Sequence, residues 1–375
     1  MIRSICTLIA LTGLAAADPR ADLKTATLDG APEAQHAAIS FLIDHMPDRD
    51  VAKLKPERLR ANVSLAYQAR EKFPWVKSVP EEIFFNDVVP YAVLDETRDD
   101  WRGDFLRRFG PHTEGAKTIR EAVVKVNAAI AKETGVSYNT KRRAPNQGPV
   151  ESMKLKMASC TGLSILLVDA LRAVGVPARI SGTAMWTTKQ GNHNWVEVWL
   201  PETKGWQFVE YGGGPDDFDR GWLVADAARG IPGSVAHGIF STSWKPTGKH
   251  FPMVWAMEDD SVPGVDVTDR YIALGKDTLA AVGECELRIE AMARGGSGSE
   301  ARRELEVKVL QADVEVATGK TPGTTADMNN FYTVKVKQGQ LYQVVALKDG
   351  KPAAIERLEI GTKETTHKVT LRVAP

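Results

Sequence analysis

No later part of this sequence approaches the roughly 20 consecutive apolar residues that a membrane-spanning helix needs, which argues against a membrane-spanning protein. Charge of one sign is also missing. Lys plus Arg and Asp plus Glu stand at 48 each, so no global field draws the chain to nucleic acid or anionic lipid. Cysteine is scarce, with three residues, and histidine numbers seven. None of these is spaced as His-x-x-x-His or Cys-x-x-Cys, so no metal or cofactor is indicated for catalysis. No internal repeat of fixed period occurs. What is present is an ordinary globular composition, 43% hydrophobic and 26% charged over 375 residues, long enough for two or three domains.

The opening "MIRSICTLIALTGLAAADPR" has one basic residue, Arg3, an apolar stretch from Ile5 to Leu14, and the small residues Ala15, Ala16 and Ala17. This is the pattern of a secretory signal, with residues 1–17 removed and the mature chain starting at Asp18, secreted or periplasmic. Removal takes Cys6 and leaves Cys160 and Cys285 where a disulfide can form.

Residues 18–115 read as a helical region, in segments such as "EAQHAAISFLIDHM" and "KPERLRANVSLAYQAREKF". Residues 116–275 form the next unit. They open with a helix at "KTIREAVVKVNAAIAKETG", where Ile119, Ala122, Val123, Val126 and Ile130 share a face and Gly135 caps the end. From 276 to 375 the chain breaks into about seven short alternating segments separated by turn-rich pieces such as "TGKTPGTTAD", which argues for a β-sandwich. The fold class expected is α+β.

Chemistry concentrates in two stretches of the middle unit. In "MASCTGLSILLVDALRAVGVPARI", Leu163, Leu166, Leu167, Ala170, Leu171 and Val174 recur at spacings of three and four, predicting a helix with one buried face. Gly175 suits its C-cap and Pro177 stops it. Cys160 then lies in the first turn, where the helix dipole and free N–H groups favour a thiolate. Position alone favours the plainer reading, a small buried cysteine that happens to start a helix.

Downstream, "ARISGTAMW", "HNWVEVWL" and "GWQFVEY" read as strands. His193, Trp195, Glu197 and Trp199 alternate onto one face, with Asn194, Val196, Val198 and Leu200 on the other. A four-residue loop Pro201–Lys204 would pair Leu200 with Gly205, set Gly212 opposite His193, and place Glu210 diagonally beside it on the same face. Thiol acyl transfer needs a nucleophile, an imidazole that moves its proton, and a group that orients the imidazole. Cys160, His193 and Glu210 supply these in order, and a carboxylate on His193 raises its pKa in favour of a thiolate–imidazolium pair. The backbone N–H of Cys160 is the natural first donor to an oxyanion, with Gln147, Asn194 and Trp186 as unranked second donors. The loop "GPDDFDRG" lacks the alternating ligand pattern of a calcium site.

The cysteine block, "GNHNWVEVWL", and Trp206 followed by Glu210 together resemble the transglutaminase-like superfamily, over roughly residues 116–275. The resemblance implies a papain-like core with Cys160 as nucleophile, His193 as base and Glu210 as the orienting acid. An aspartate is usual in that third role, so Asp216 and Asp217 stay open as alternatives to Glu210. It further implies an exported thiol acyltransferase, cysteine peptidase or amidase acting on peptide or glutamine-type amides of a protein or peptide substrate. Hydrolysis is slightly favoured over cross-linking, because water is abundant and no acceptor-amine site is recognisable. Two other readings stand beside it: a catalytically idle fold that binds protein or glycan, and a structural Cys160 bridged to Cys285.

Overall fold

The computed structural model describes residues 18–276, 283–294 and 300–374; the expected signal segment 1–17 lies outside them. The fold is α+β. Helices from Pro19 to Phe109 and the Ile119–Thr134 helix pack around a long central helix, Cys160–Ala173, which lies on a five-stranded antiparallel sheet. One continuous apolar core runs from Leu23 to Val262 through these helices and the sheet.

The central helix begins as its sequence predicts. Ser159 is the N-cap and its Oγ accepts from Gly162 N at 3.0 Å, satisfying one of the free amides of the first turn. The chain turns away at Gly175, whose φ of 77° is in the left-handed region, and a Cβ there would lie 2.4 Å from Val76 Cγ2. The expectation of one buried face understates the packing, because every residue from Thr161 to Ala173 is buried. The sheet covers one side, and helices around Leu59–Ala69 and Phe105–Ile130 cover the other. Its C-terminal end is held by two buried guanidiniums. Arg102 donates to Arg172 O and to the Val88, Val89 and Pro90 carbonyls, and Arg172 donates to Ala178 O and Ala92 O. Positive charge at that end also complements the helix dipole.

The sheet runs Gly205–Val209, His193–Leu200, Ala178–Thr183, Phe240–Thr242, Gly264–Asp266. Leu200 pairs with Gly205 and Val196 with Val209, the register that a four-residue hairpin loop imposes. The segment "VDVTDRY" lies in the edge strand Gly264–Asp266 and the Thr268–Gly275 helix. That helix covers the outer face of the sheet, so the His193–Leu200 strand is buried on both sides.

At the middle of this strand the Glu197 carboxylate is fully buried. It accepts from Arg179 Nε at 2.9 Å, Ser241 Oγ at 2.8 Å, Tyr271 Oη at 2.9 Å and Arg270 at 3.1 Å. Burial opposes its charge, yet Arg179 and Arg270 outweigh that and hold its pKa below the ordinary 4.5. Arg270 also pairs with Asp219 at 2.5 Å and donates to Trp206 O, so one ion cluster joins four segments of the unit.

Residues 284–294 and 300–373 form two sheets that face one another. One orders Val314–Lys320, Glu306–Gln311, Leu341–Lys348 and Lys351–Glu359; the other orders Tyr332–Lys337, Glu284–Arg294 and Thr366–Val373, with Glu300–Arg302 on the long strand. Leu287, Ile289 and Leu371 meet Val307, Val309 and Val344 between them. Cys285 lies buried in this second core, where desolvation pushes its thiol up to about 11. Cys160 and Cys285 are both free thiols, so the bridged reading of Cys160 falls.

Truncating Glu197 to Ala leaves the buried Arg179 guanidinium without its carboxylate and takes one of two from half-buried Arg270, and about 3–5 kcal/mol of stability should be lost, read as a fall in denaturation midpoint. Because the Glu197 pKa is lowered on folding, its contribution is present above the unfolded value of 4.5 and fades as pH falls through the lowered one. The wild-type advantage over Glu197→Gln should therefore shrink on acidification; an advantage that grows there would contradict the assignment.

Candidate active site

Three elements bring Cys160, His193 and Glu210 to one cleft, and hydrogen bonds between those elements set the spacing. Asn194 Nδ2 donates to Thr161 Oγ1 at 2.8 Å, and Ser164 Oγ donates to Asn194 O at 3.1 Å, so the first turn of the helix is tied to the start of the His193 strand. A Cβ on Gly182 would lie 1.9 Å from Asn194 Oδ1; only glycine on the neighbouring strand leaves room for that asparagine. Glu210 is placed through its backbone. Asn127 on the Ile119–Thr134 helix donates to Glu210 O at 2.8 Å and accepts from Gly212 N at 2.7 Å.

The His193 ring is nearly enclosed. Trp222 lies 4.7 Å from it between centroids and Trp195 5.8 Å, with Trp186 stacked on Trp195 at 6.2 Å. Its Nε2 faces Glu210 Oε1 at 2.7 Å. Asp216 and Asp217 lie exposed in the following loop, and Asp217 accepts from Gly214 N. Asp219 is engaged by Arg270 and Phe208 N. Of the open choices for an acid beside His193, the geometry brings up Glu210.

A fourth residue enters from the C-terminal sandwich. Asp327 Oδ2 lies 3.4 Å from His193 Nδ1, an ion-pair distance rather than a well-formed hydrogen bond. Among the described residues, Cys160, His193 and Asp327 are the one group of three or more Cys, His, Asp and Glu donors drawn together, their ligand atoms within 4.8 Å of one another. Burial disfavours the imidazolium, but Asp327, Cys160 and Glu210 outweigh it and hold the His193 pKa well above 6.5. Burial likewise opposes charge on Asp327, yet His193 and the Asn329 amide keep it below 3.8. Nothing in the local pattern of "GTTADMNNFY" marks Asp327; it reads as turn sequence between two strands.

The segment around Asp327 is fixed from both sides. Arg302 donates to the carbonyls of Asp327 and Met328 at 2.7 Å, and Asn329 N closes a turn onto Asp327 Oδ1 at 2.8 Å. From the other side Lys189 Nζ donates to Asn329 O at 3.1 Å, and Asn329 Nδ2 donates to Asn192 O at 3.1 Å. Lys189 also pairs with buried Asp226 at 2.7 Å, which in turn takes Arg288 of the sandwich at 2.5 Å. This ion cluster holds the sandwich against the sheet-bearing unit.

A cavity of about 180 Å³ opens at the cluster, lined by Leu163, Tyr138, Tyr211 and Trp222 beside Cys160 and His193, with Thr325 to Asp327 as one wall. The first amide of a helix has no partner within it, so Cys160 N is placed to donate there. The three second-donor candidates are committed elsewhere or set apart. The Gln147 amide binds Met157 O and the Arg143 N–H, Asn194 Nδ2 holds Thr161, and Trp186, whose Nε1 has no hydrogen-bond partner, packs on Trp195 and Trp222 and does not line the cavity. Lys189→Ala should free the wall: hydrogen exchange at residues 327–331 should rise about tenfold or more, the effect of losing a charge-assisted hydrogen bond, whereas unchanged exchange would show that Arg302 and the Asn329–Asn192 contact fix the segment without it.

Comparison with known proteins adds a family. Residues 107–211, which contain Cys160, His193 and Glu210 but not Asp327, match the family model described as Transglutaminase-like superfamily. No curated protein matches the chain. Among solved structures, a putative cysteine protease from Cytophaga hutchinsonii is similar at 15% identity and TM-score 0.28, over 38% of this chain and 47% of that one. Red sea bream transglutaminase is similar at 12% identity and TM-score 0.28, over 71% of this chain and 58% of that one. The chain thus spans about half the length of the solved structures it matches.

Proposed function

Residues 107–211 belong to the transglutaminase-like superfamily, and from that premise we propose that the chain is an exported thiol enzyme that attacks peptide or glutamine-type amides through a thioester. The observation that carries this reading is the placement of His193: Nε2 on Glu210 at 2.7 Å, and the ring within 4.8 Å of Cys160 Sγ, on the side of Nδ1 and Asp327. Glu210 fixes the ring so that Nε2–H donates to it and Nδ1 is left to exchange a proton with the thiol. The Cys160 thiolate attacks the amide carbonyl carbon, and the tetrahedral oxyanion accepts from the Cys160 N–H. As the C–N bond breaks, His193 Nδ1–H protonates the departing amine and the acyl group stays on sulfur. His193 then takes a proton from water, the hydroxide attacks the thioester, and the acid leaves as Cys160 regains its charge. Water is favoured over a second amine because it is abundant and the sequence carries no recognisable acceptor-amine site. The segment 1–17 supports export to the periplasm or beyond.

Asp327 favours a second reading, a binding module with an idle site, since its carboxylate competes with the thiolate for the same imidazolium. The two readings separate on reactivity. For the enzyme, iodoacetamide should alkylate Cys160 of the full mature chain about a hundredfold faster than in His193→Ala, and Glu210→Gln should lower amide turnover by about 10²–10⁴-fold. Equal alkylation rates in wild type and His193→Ala would remove the enzyme reading and leave the module.

A further inference from the structure

We propose that Cys160 Sγ, His193 Nδ1 and Asp327 Oδ2 form a binding site for a divalent transition-metal ion of the zinc class, which joins the central helix, the His193–Leu200 strand and the C-terminal sandwich. The donor set is the first argument. One sulfur, one imidazole nitrogen and one carboxylate oxygen match zinc, whereas calcium and magnesium require a shell of oxygens. The geometry is the second. The three donors lie within 4.8 Å of one another. Zinc bonds of about 2.0–2.3 Å set tetrahedral ligands roughly 3.5 Å apart, so contraction by about an ångström, within the reach of side-chain rotation, completes the site.

The surroundings prepare each donor. Glu210 already occupies Nε2 of His193, the carboxylate–histidine arrangement that orients a metal ligand and makes Nδ1 the coordinating nitrogen once its proton is released. That Nδ1 is buried and has no hydrogen-bond partner, although His193 is almost wholly enclosed. The Asn329 amide holds Asp327 Oδ1 and so aims Oδ2 at His193. The adjoining cavity of about 180 Å³ leaves a fourth position for water.

Charge and proton balance follow. A thiolate, a carboxylate and a neutral imidazole offset the two charges of the ion. Binding to the thiolate–imidazolium form releases the one proton on Nδ1 to solvent, and no electron moves. With its sulfur on the metal, Cys160 is no longer a free nucleophile, so occupancy would block alkylation and a chelator would restore it. The site depends on the donors alone and not on turnover of an amide, so it can fail while the thiol-enzyme reading stands, and the reverse.

The test is a titration of the metal-free mature chain with Zn²⁺ against a chromophoric chelator, with Co²⁺ absorption as a second readout. One ion per chain is expected, with a thiolate-to-cobalt charge-transfer band that is absent in Cys160→Ser. Asp327→Ala and Asp327→Asn, the latter able to keep the turn to Asn329, should each weaken Zn²⁺ at least about tenfold, and Glu210→Gln by about 10–100-fold. Wild-type affinity in both Asp327 variants, binding unchanged in Cys160→Ser, or no stoichiometric binding at all would each overturn the proposal.

Discussion

The Glu197 carboxylate, buried at the centre of the sheet, is the constraint on which the rest of the site depends. A buried charge is tolerated only when it is paired and fully hydrogen-bonded, and here Arg179, Arg270, Ser241 and Tyr271 all answer to it. Meeting that requirement locks the His193–Leu200 strand between its neighbour at Ala178–Thr183 and the Thr268–Gly275 helix. Arg270 extends the same cluster to Asp219 and Trp206 O, on either side of Glu210. The strand that starts with His193 and the loop that carries Glu210 are therefore held by one set of ionic contacts beneath them.

Above that base, the cleft is built by elements that each need the others. The central helix is buried all round, so its first turn cannot shift without opening the core on two sides. Thr161, Ser164 and Asn194 couple that turn to the strand, and Asn127 couples the strand's partner to a further helix. The aromatic stack of Trp186, Trp195 and Trp222 removes water from the His193 ring, and in that setting a carboxylate on either ring nitrogen has a large effect on its charge. The C-terminal sandwich supplies one of those carboxylates, and the Lys189, Asp226 and Arg288 cluster keeps it there.

Local rules carried much of this into the sequence. The three-and-four spacing after Cys160, with Gly175 and Pro177 beyond it, defines the helix and its end. The alternation in "HNWVEVWL" and the length of the "PETK" loop determine the register that sets Glu210 beside His193, because a hairpin's pairing follows from its loop. The helix at Ile119–Thr134 and the short alternating strands of the C-terminal part are legible for the same reason. Burial of the central helix on every side was not, since its polar residues Ser164, Asp169 and Arg172 mimic an exposed face. The role of "VDVTDRY" was equally hidden: its Arg270 and Tyr271 have meaning only beside Glu197.

What the sequence determined by itself is thus the placement of Cys160, His193 and Glu210 on their elements, and the pairing of the two strands that bear the last two. These depend on interactions between residues close along the chain, which leave a period or a turn length behind. Only the tertiary structure decided that Asp327 stands at the opposite nitrogen of His193, that Lys189 and Arg302 hold it there, and that the cleft has the sandwich as a wall. Contacts between segments so far apart depend on how whole sheets and helices dock, and a turn-rich loop carries no periodic trace of the surface it will meet.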